Sequence, residues 1–347
     1  MIFPAIAAVG TALPVNRVCQ SDIRNFAAAL FREGLPHLER LMPVFENASI
    51  EARYLAQPLE WYRTQHSFAE ANALYETIAF ELSEAAANAA LDRAGIDRKK
   101  IGAVLFVSST GIATPTIDSK LIQKLGLSVH AKRLPLWGLG CAGGVTGLAR
   151  AAELAAATQE PVLLVAVELC SLTFQRNDFS KSNLVGSSIF GDGAAAVVLV
   201  PEQKGPVVFG SYSTLFPETE DIMGWDMSET GLKVRFSRDI PAIVREYLPG
   251  LLKQACAQWG IETGSIRHFV AHPGGTKVLA AYSDSLGLNS EQLAEAYQVL
   301  RQYGNMSSAS VLFVLERFLA KSPPTGDYGV MLALGPGFSA EQVLFKW

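Results

Sequence analysis

Apolar runs rich in valine, leucine and isoleucine alternate with alanine-rich segments along the chain, and this alternation gives a first reading of its elements. In the first half, Ile6 to Ala12, Ile101 to Ser108, Val162 to Val167 and Ala194 to Val200 predict buried strands, because each is short and almost continuously apolar. Between them Ala69 to Ala94 and Thr146 to Thr158 have helical composition and length. The second half repeats the theme more loosely, with strands expected at Val207 to Thr214, Lys233 to Phe236 and His268 to Ala271, and helices at Ile240 to Trp259 and Ser308 to Lys321. Gly329 to Leu334 and Gln342 to Phe345 flank LGPGFSAE, a Gly/Pro turn that predicts a closing hairpin. Strands and helices in this order predict an α/β layered fold. The segment Pro201 to Pro206, with charges, a glycine and two prolines, is the best joint, dividing the chain into 1–205 and 206–347. There is no short-period repeat and no low-complexity stretch.

Composition narrows the class. With 347 residues, 49% hydrophobic and 18% charged, the chain can bury one large core or two fused ones and does not read as disordered. The formal net charge of -4 and the absence of any Lys/Arg block argue against a nucleic-acid partner. The N-terminal MIFPAIAAVGTALPVNRV is apolar, but it lacks a basic n-region and carries prolines, so it reads as strand then turn rather than a secretion signal. Runs such as Pro161 to Val167 fall well short of the ~20 residues of a membrane span, so a soluble cytoplasmic protein is expected.

Four cysteines, Cys19, Cys141, Cys170 and Cys256, lack C-x-x-C spacing, which argues against a zinc ribbon or a disulfide framework. His268 and His272 are four apart, but on an expected strand, so no metal site is expected.

The stretch WGLGCAGGVTGLARAAELA, Trp137 to Ala155, contains the spacing G-x-G-x-x-G. A helix and then a strand follow it, and Glu168 ends that strand where a ribose-binding acid belongs, as a dinucleotide site requires. Against this, AKRLPLWG before the motif is interrupted by Pro135 and two basic residues. The competing reading centres on Cys141, whose sulfur would sit beside the positive end of a helix dipole that lowers a thiol pKa. A small cysteine packed in a core is the bland alternative. His272 ends the run IRHFVA before PGG, placing its ring at the carboxyl end of a strand, where α/β folds put their sites. Asn305, in YGNMSSAS ahead of a helix, has an amide that can donate to an oxyanion; a core histidine and an ordinary turn asparagine are the plainer readings.

The strings GLGCAGG, LVGSSIFGDGAAAVV, GLKVRFSRDIPAIV, HPGGTKVL, YGNMSSAS and ALGPGF, in that order, resemble the type III polyketide synthases, the chalcone-synthase-like branch of the thiolase-fold condensing enzymes. The resemblance runs from about Ile101 to the C-terminus and more faintly back to Arg53. It implies an α/β duplicated thiolase fold, five-layered αβαβα with two mixed five-stranded sheets, in a homodimer. It implies Cys141 as the acyl-accepting nucleophile, paired with an imidazolium that favours its thiolate, and His272 and Asn305 as the pair that assists decarboxylation and holds the thioester oxygen. Malonyl-CoA and acyl-CoA thioesters are then substrates, and no cofactor is needed. Phe190 matches the gatekeeper aromatic, Gly335 and Gly337 the loop shaping the cavity floor, and Gly231, Ser307 and Thr173 positions that line the cavity.

Two departures stand out. Where several plant relatives carry a basic cluster for the coenzyme A phosphates, ENASIEARYLAQ has Arg53 as its only basic residue, which leaves an acyl carrier protein open as the starter's donor. Thr114, in TGIATPTID, stands where plant enzymes often have a larger residue reaching across the dimer, which suggests a medium or long fatty acyl starter. The rivals are a ketoacyl synthase type three performing one condensation, which typically has Gln-Ala-Asn after its histidine where this chain has Pro273-Gly274-Gly275, a nicotinamide oxidoreductase, and a non-catalytic thiolase-fold partner.

Overall fold

A computed structural model describes residues 3–32, 34–202 and 205–347. The first half carries strands β1 (Ala5–Ala12), β2 (Asn16–Cys19), β3 (Ala52–Leu55), β4 (Ala103–Val107), β5 (Lys132–Leu136), β6 (Val162–Leu169) and β7 (Asp192–Val200). Its helices are α1 (Gln20–Phe31), α2 (Val44–Asn47), α3 (Phe68–Ala94), α4 (Ile117–Lys124), α5 (Gly143–Thr158) and α6 (Lys181–Ile189). The second half adds β8 (Val207–Leu215), β9 (Met223–Ser228), β10 (Gly231–Phe236), β11 (Ile266–Ala271), β12 (Tyr328–Gly335) and β13 (Ser339–Lys346), with helices α7 (Ile240–Trp259), α8 (Thr276–Leu286), α9 (Ala294–Tyr303) and α10 (Ser310–Lys321). The joint expected at Pro201 to Pro206 includes Gln203 and Lys204, and the expected N-terminal strand segment begins with Met1 and Ile2; all four lie outside the described residues.

The apolar runs are continuous because their strands are covered on both faces. All eight residues of β6 are buried. Leu164 and Ala166 pack with Val145, Leu148 and Ala152 of α5, while Leu163, Val165 and Val167 pack with Ala79, Ala86 and Ala90 of α3. This is the two-residue alternation of a strand between two helical layers. Helix α3 is held at its start by a capping box between Ser67 and Glu70, and stops at Gly95, whose φ of 62° suits a residue without a Cβ.

Topology reveals an internal repeat that sequence periodicity does not show. In the first half β4 is parallel to β6, which is antiparallel to β7, which is antiparallel to β1. In the second half β11, β12, β13 and β8 follow with the same senses. Helices α5 and α10 lie between the two sets of strands, touching both; α3 and α4 cover the outer face of the first set, and α7 and α8 that of the second. The layers therefore run αβαβα.

The expected pair of five-stranded sheets is replaced by one nine-stranded ladder, ordered β11-β12-β13-β8-β1-β7-β6-β4-β5, joined where Ala5 pairs with Val207. Five strands come from the first half and four from the second. The fifth, β5, is the very segment that Pro135 and its basic residues argued against as a strand. It sits at the sheet edge, parallel to β4, and an edge strand tolerates a proline that cannot donate to a ladder.

Candidate functional site

Cys141 lies in the single 3-10 turn Gly140–Ala142 that leads into α5. The turn starts at Gly140 with φ of +47°, and α5 has no side-chain cap, so its first N–H groups are left pointing toward the sulfur's end of the helix. A Cβ at Gly144 would lie 2.2 Å from the Ser308 carbonyl oxygen, and one at Gly143 would lie 2.7 Å from Val107 Cγ1. Gly143, the last glycine of the G-x-G-x-x-G spacing, and Gly144 after it thus bring α5 against the segment carrying Asn305.

Asn305 reaches the same point from the second half. Its backbone N–H donates to the Ile189 carbonyl at 2.8 Å and its carbonyl accepts from Gly191 at 3.0 Å, so it is stitched beside Phe190 as a parallel bridge. Its side-chain nitrogen donates to the Gly274 carbonyl at 3.2 Å and lies 4.0 Å from Cys141 Sγ. The N–H of Ser307 donates to Asn305 Oδ1 at 2.8 Å, which helps fix the amide, and both Nδ2 and Oδ1 lie 4.0 Å from Cys141 Sγ. Ser307 holds a left-handed φ of 45°, and its hydroxyl is within hydrogen-bonding reach of the sulfur.

His272 follows β11 directly, its N–H donating to Leu332 at 2.9 Å. The ring is buried, and among the described residues neither Nδ1 nor Nε2 has a hydrogen-bond partner. Two unpartnered buried ring nitrogens are costly in a protein interior unless a ligand uses them. Burial pushes this imidazole down to about 3 and the Cys141 thiol up to about 11, with Ser307 and Asn305 opposing the rise at the sulfur. The expectation of a lowered thiol pKa and a resting imidazolium is therefore corrected. Burial thus opposes the charged form of both groups.

Cys141, His272 and Asn305 line one cavity of about 430 Å³ with Leu184, Ile189 and Phe236 among its apolar walls. Tyr282, fully buried, also lines it, with its hydroxyl unpartnered among the described residues. Nothing in the sequence marked Tyr282, which reads as an ordinary apolar position of α8. Glu168 braces the site from behind. Its carboxylate accepts from Ser109 N at 2.9 Å, Thr110 Oγ1 at 2.9 Å and Ser308 Oγ at 2.7 Å, and burial pushes it up to about 7. A carboxylate so enclosed does not meet a ribose, and the dinucleotide reading falls with it.

Two family models match the chain, the N-terminal domain of chalcone and stilbene synthases over residues 4–202 and their C-terminal domain over 208–347. The chain belongs to the chalcone and stilbene synthase family. It is 42% identical to a putative chalcone synthase of Bacillus subtilis, covering 99% of this chain and 98% of that one. It is 40% identical to a 1,3,6,8-tetrahydroxynaphthalene synthase of Streptomyces peucetius, covering 99% and 93%. Among solved structures, the 1,3,6,8-tetrahydroxynaphthalene synthase of Streptomyces coelicolor, a bacterial type III polyketide synthase, superposes with a TM-score of 0.94 at 28% identity, covering 99% of each chain. The chain is thus a type III polyketide synthase, an acyltransferase of the thiolase fold, and the single-condensation and oxidoreductase readings are set aside.

The remaining expected residues scatter. Phe190 packs at 5.5 Å from the Phe236 ring and lines a smaller apolar pocket of about 60 Å³ together with Thr173, so it stands between this pocket and the catalytic cavity that Phe236 lines. Gly231 lies with Thr173 and Thr110 around a further small recess, at a φ of +122°. Gly335 does not face the catalytic cavity; a Cβ there would lie 2.6 Å from the Leu139 carbonyl, so it lets β12 back the cysteine turn. Gly337, at φ of +123°, stands against Leu215. Thr114 is exposed ahead of α4 and lines no cavity described for this chain. Arg53 is the clearest correction. It is 2% exposed, donates to the Phe190 carbonyl at 2.6 Å and to Gln20 Oε1 at 2.9 Å, and faces the Asp192 charge, so it cannot reach a coenzyme A phosphate in solvent.

Proposed function

We propose that the enzyme loads an acyl starter on Cys141 and lengthens it by repeated decarboxylative Claisen condensation with malonyl-CoA, releasing pyrones or resorcinol and phenol-type products. The observation that carries this reading is the convergence of a half-buried thiol, an unpartnered buried imidazole and an oriented amide on one apolar cavity. In loading, the Cys141 proton passes to neutral His272 as sulfur attacks the starter carbonyl, and the departing CoA thiolate takes that proton back. In extension, the malonyl carboxylate leaves as carbon dioxide and its electron pair flows to the thioester oxygen. Donors from His272 and Asn305 stabilise that enolate where water is excluded. The enolate carbon then attacks the acyl-Cys141 carbonyl and expels the thiolate, which returns the chain, two carbons longer, to coenzyme A.

A relative named for 1,3,6,8-tetrahydroxynaphthalene supports a phenolic product, and the apolar walls, with flexible Met223 among them, support a fatty acyl starter. A homodimer is supported by the unpaired outer edge of β5, near which Ile112, Val129 and Trp137 are exposed. Among the described residues no helix is long and apolar enough to cross a membrane, and we take the cytoplasm as its compartment.

Intact-protein mass spectrometry and product analysis, with malonyl-CoA and a panel of aromatic and fatty acyl-CoA starters, test the reading. Acyl mass on the wild type and none on Cys141→Ala, with multiply extended products released, is expected. A single-condensation ketoacyl thioester from every starter would refute iteration, and turnover of aromatic starters alone would refute the fatty acyl preference.

A further inference from the structure

Three buried polar atoms of the catalytic cavity have no partner among the described residues: Nδ1 and Nε2 of His272 and the hydroxyl of Tyr282. The other buried residues of the lining are the apolar Ala48, Leu184, Ile240 and Leu334, and Asn305, whose amide is engaged by Gly274 and Ser307. Tyr282 lies on α8, the helix that follows His272-Pro273-Gly274-Gly275, and shares its cavity-facing stripe with Val278, four residues earlier. Lys277 on the same helix also lines the cavity and is exposed. At 1.5 Å per residue Tyr282 lies about 7 Å further along the axis, and it is fully buried, so the stripe runs from the mouth into the interior. A phenylalanine would fill that space without stranding a hydroxyl, and a stranded hydroxyl lowers stability. An unpartnered hydroxyl in a cavity is accounted for by a ligand oxygen that accepts from it. Burial pushes the phenol above its ordinary range, and a charge on Cys141 would push it further, so it stays an O–H donor close enough to the sulfur to feel its charge.

Two substrate oxygens gain negative charge in this chemistry, and they belong to different carbons. One is the malonyl thioester oxygen during decarboxylation, which His272 and Asn305 serve. The other is the carbonyl oxygen at the carbon bonded to Cys141, which becomes tetrahedral when sulfur attacks the starter and again when the enolate carbon attacks the acyl group. A donor on the malonyl carboxylate would hold back the charge that has to leave, and would oppose decarboxylation. We propose that the Tyr282 hydroxyl donates to the carbonyl oxygen of the acyl group at Cys141 and stabilises both tetrahedral intermediates, a catalytic role separate from that of His272 and Asn305. The assignment rests on the loading of Cys141 set out above. In loading, the sulfur–carbon bond forms, the carbonyl electron pair moves onto oxygen, and it returns as the bond to the CoA sulfur breaks. In condensation the carbon–carbon bond forms and the bond to Cys141 breaks in the same way. The Tyr282 proton stays on its own oxygen in both steps.

The test is Tyr282→Phe, which keeps the ring and removes only the hydroxyl. Four quantities are compared with wild type: the rate of acyl transfer from a starter CoA thioester to Cys141 by rapid-quench intact mass, carbon dioxide release from malonyl-CoA without starter, alkylation of Cys141 by iodoacetamide, and Tm. Acyl transfer and the condensation that follows should slow by about 10²-fold, the loss of one oxyanion donor. Carbon dioxide release should stay near the wild-type rate. Alkylation should also hold, because displacement at the iodoacetamide methylene builds no carbonyl oxyanion. The Tm should hold or rise, since a stranded hydroxyl is gone. Acyl transfer at the wild-type rate overturns the assignment. Equal losses in acyl transfer and carbon dioxide release, or a parallel loss of alkylation, also overturn it, because they would show that Tyr282 shapes the pocket as a whole. Absence of acyl mass on Cys141 in wild type is a different result: it would overturn the loading reading itself, and this assignment with it.

Discussion

The side-chain nitrogen of Asn305 lies 4.0 Å from the Cys141 sulfur while it donates at 3.2 Å to the Gly274 carbonyl. One amide therefore links the nucleophile's turn in the first half to the glycine pair after His272 in the second. Its Oδ1 accepts from Ser307 N at 2.8 Å, and its N–H edge is the part that can donate to a substrate oxygen.

Asn305→Ala should separate the two half-reactions. Losing one oxyanion donor costs a factor of about 10² to 10³ in the step that builds the charge. Release of carbon dioxide from malonyl-CoA should fall by that factor, whereas intact-mass acylation of Cys141 by a starter thioester should persist, because thiol attack draws on His272 and not on the amide. Equal losses in both readouts would place Asn305 in loading as well.

The resting charge state is testable through pH. With the thiol pushed up to about 11 and the imidazole down to about 3, both by burial, the thiolate is a small minority near neutrality and grows with each rise in pH. Inactivation of the free enzyme by iodoacetamide should therefore climb about tenfold per pH unit through neutrality, without a plateau below about pH 9. A plateau reached already near pH 6 to 7 would show a preformed thiolate–imidazolium pair. In His272→Gln the same alkaline climb is expected, since no imidazolium contributes to it.

The trio and most of the sheet were legible because each rests on a local pattern. The runs in β4, β6 and β7 are apolar throughout since two helical layers cover them, and Cys141, His272 and Asn305 each sit at an element boundary marked by glycine. What was not legible depends on where a segment lies in the assembled fold. Pro135 reads as a strand breaker, and only the edge position of β5 makes it acceptable. Arg53 reads as a surface cation, and only the fold shows the Phe190 carbonyl and Gln20 that hold it inside.

Arg53→Gln should act on stability and on the gate, and leave coenzyme A alone. The guanidinium is buried and donates to the Phe190 carbonyl and to Gln20 Oε1, so removing it leaves buried acceptors without their charged donor, at a cost of about 1 to 3 kcal/mol. A lowered Tm, altered product lengths as Phe190 loosens, and an unchanged Kd for coenzyme A are expected. Weaker coenzyme A binding with an unchanged Tm would restore Arg53 as a phosphate ligand.

Gly144→Ala tests whether the glycine-rich stretch around Cys141 serves packing. The added methyl would lie 2.2 Å from the Ser308 carbonyl and 2.8 Å from Val311 Cγ1, and a backbone oxygen cannot swing aside as a side-chain tip can. Either α5 or the segment after Asn305 must move, at about 1 to 3 kcal/mol for such overpacking. Since Cys141 precedes α5 and Ser307 lies next to Ser308, the displacement falls on the distances that define the site. A drop in Tm should accompany a loss of kcat, with iodoacetamide still reaching Cys141 because the cavity stays open. Gly138→Ala makes the comparison sharp. A Cβ there meets nothing within 4 Å, so its penalty comes only from a φ of 86° and should leave the α5 contact with Ser308 intact. Equal effects of the two substitutions would mean that turn conformation, and not the helix approach, is what the motif supplies.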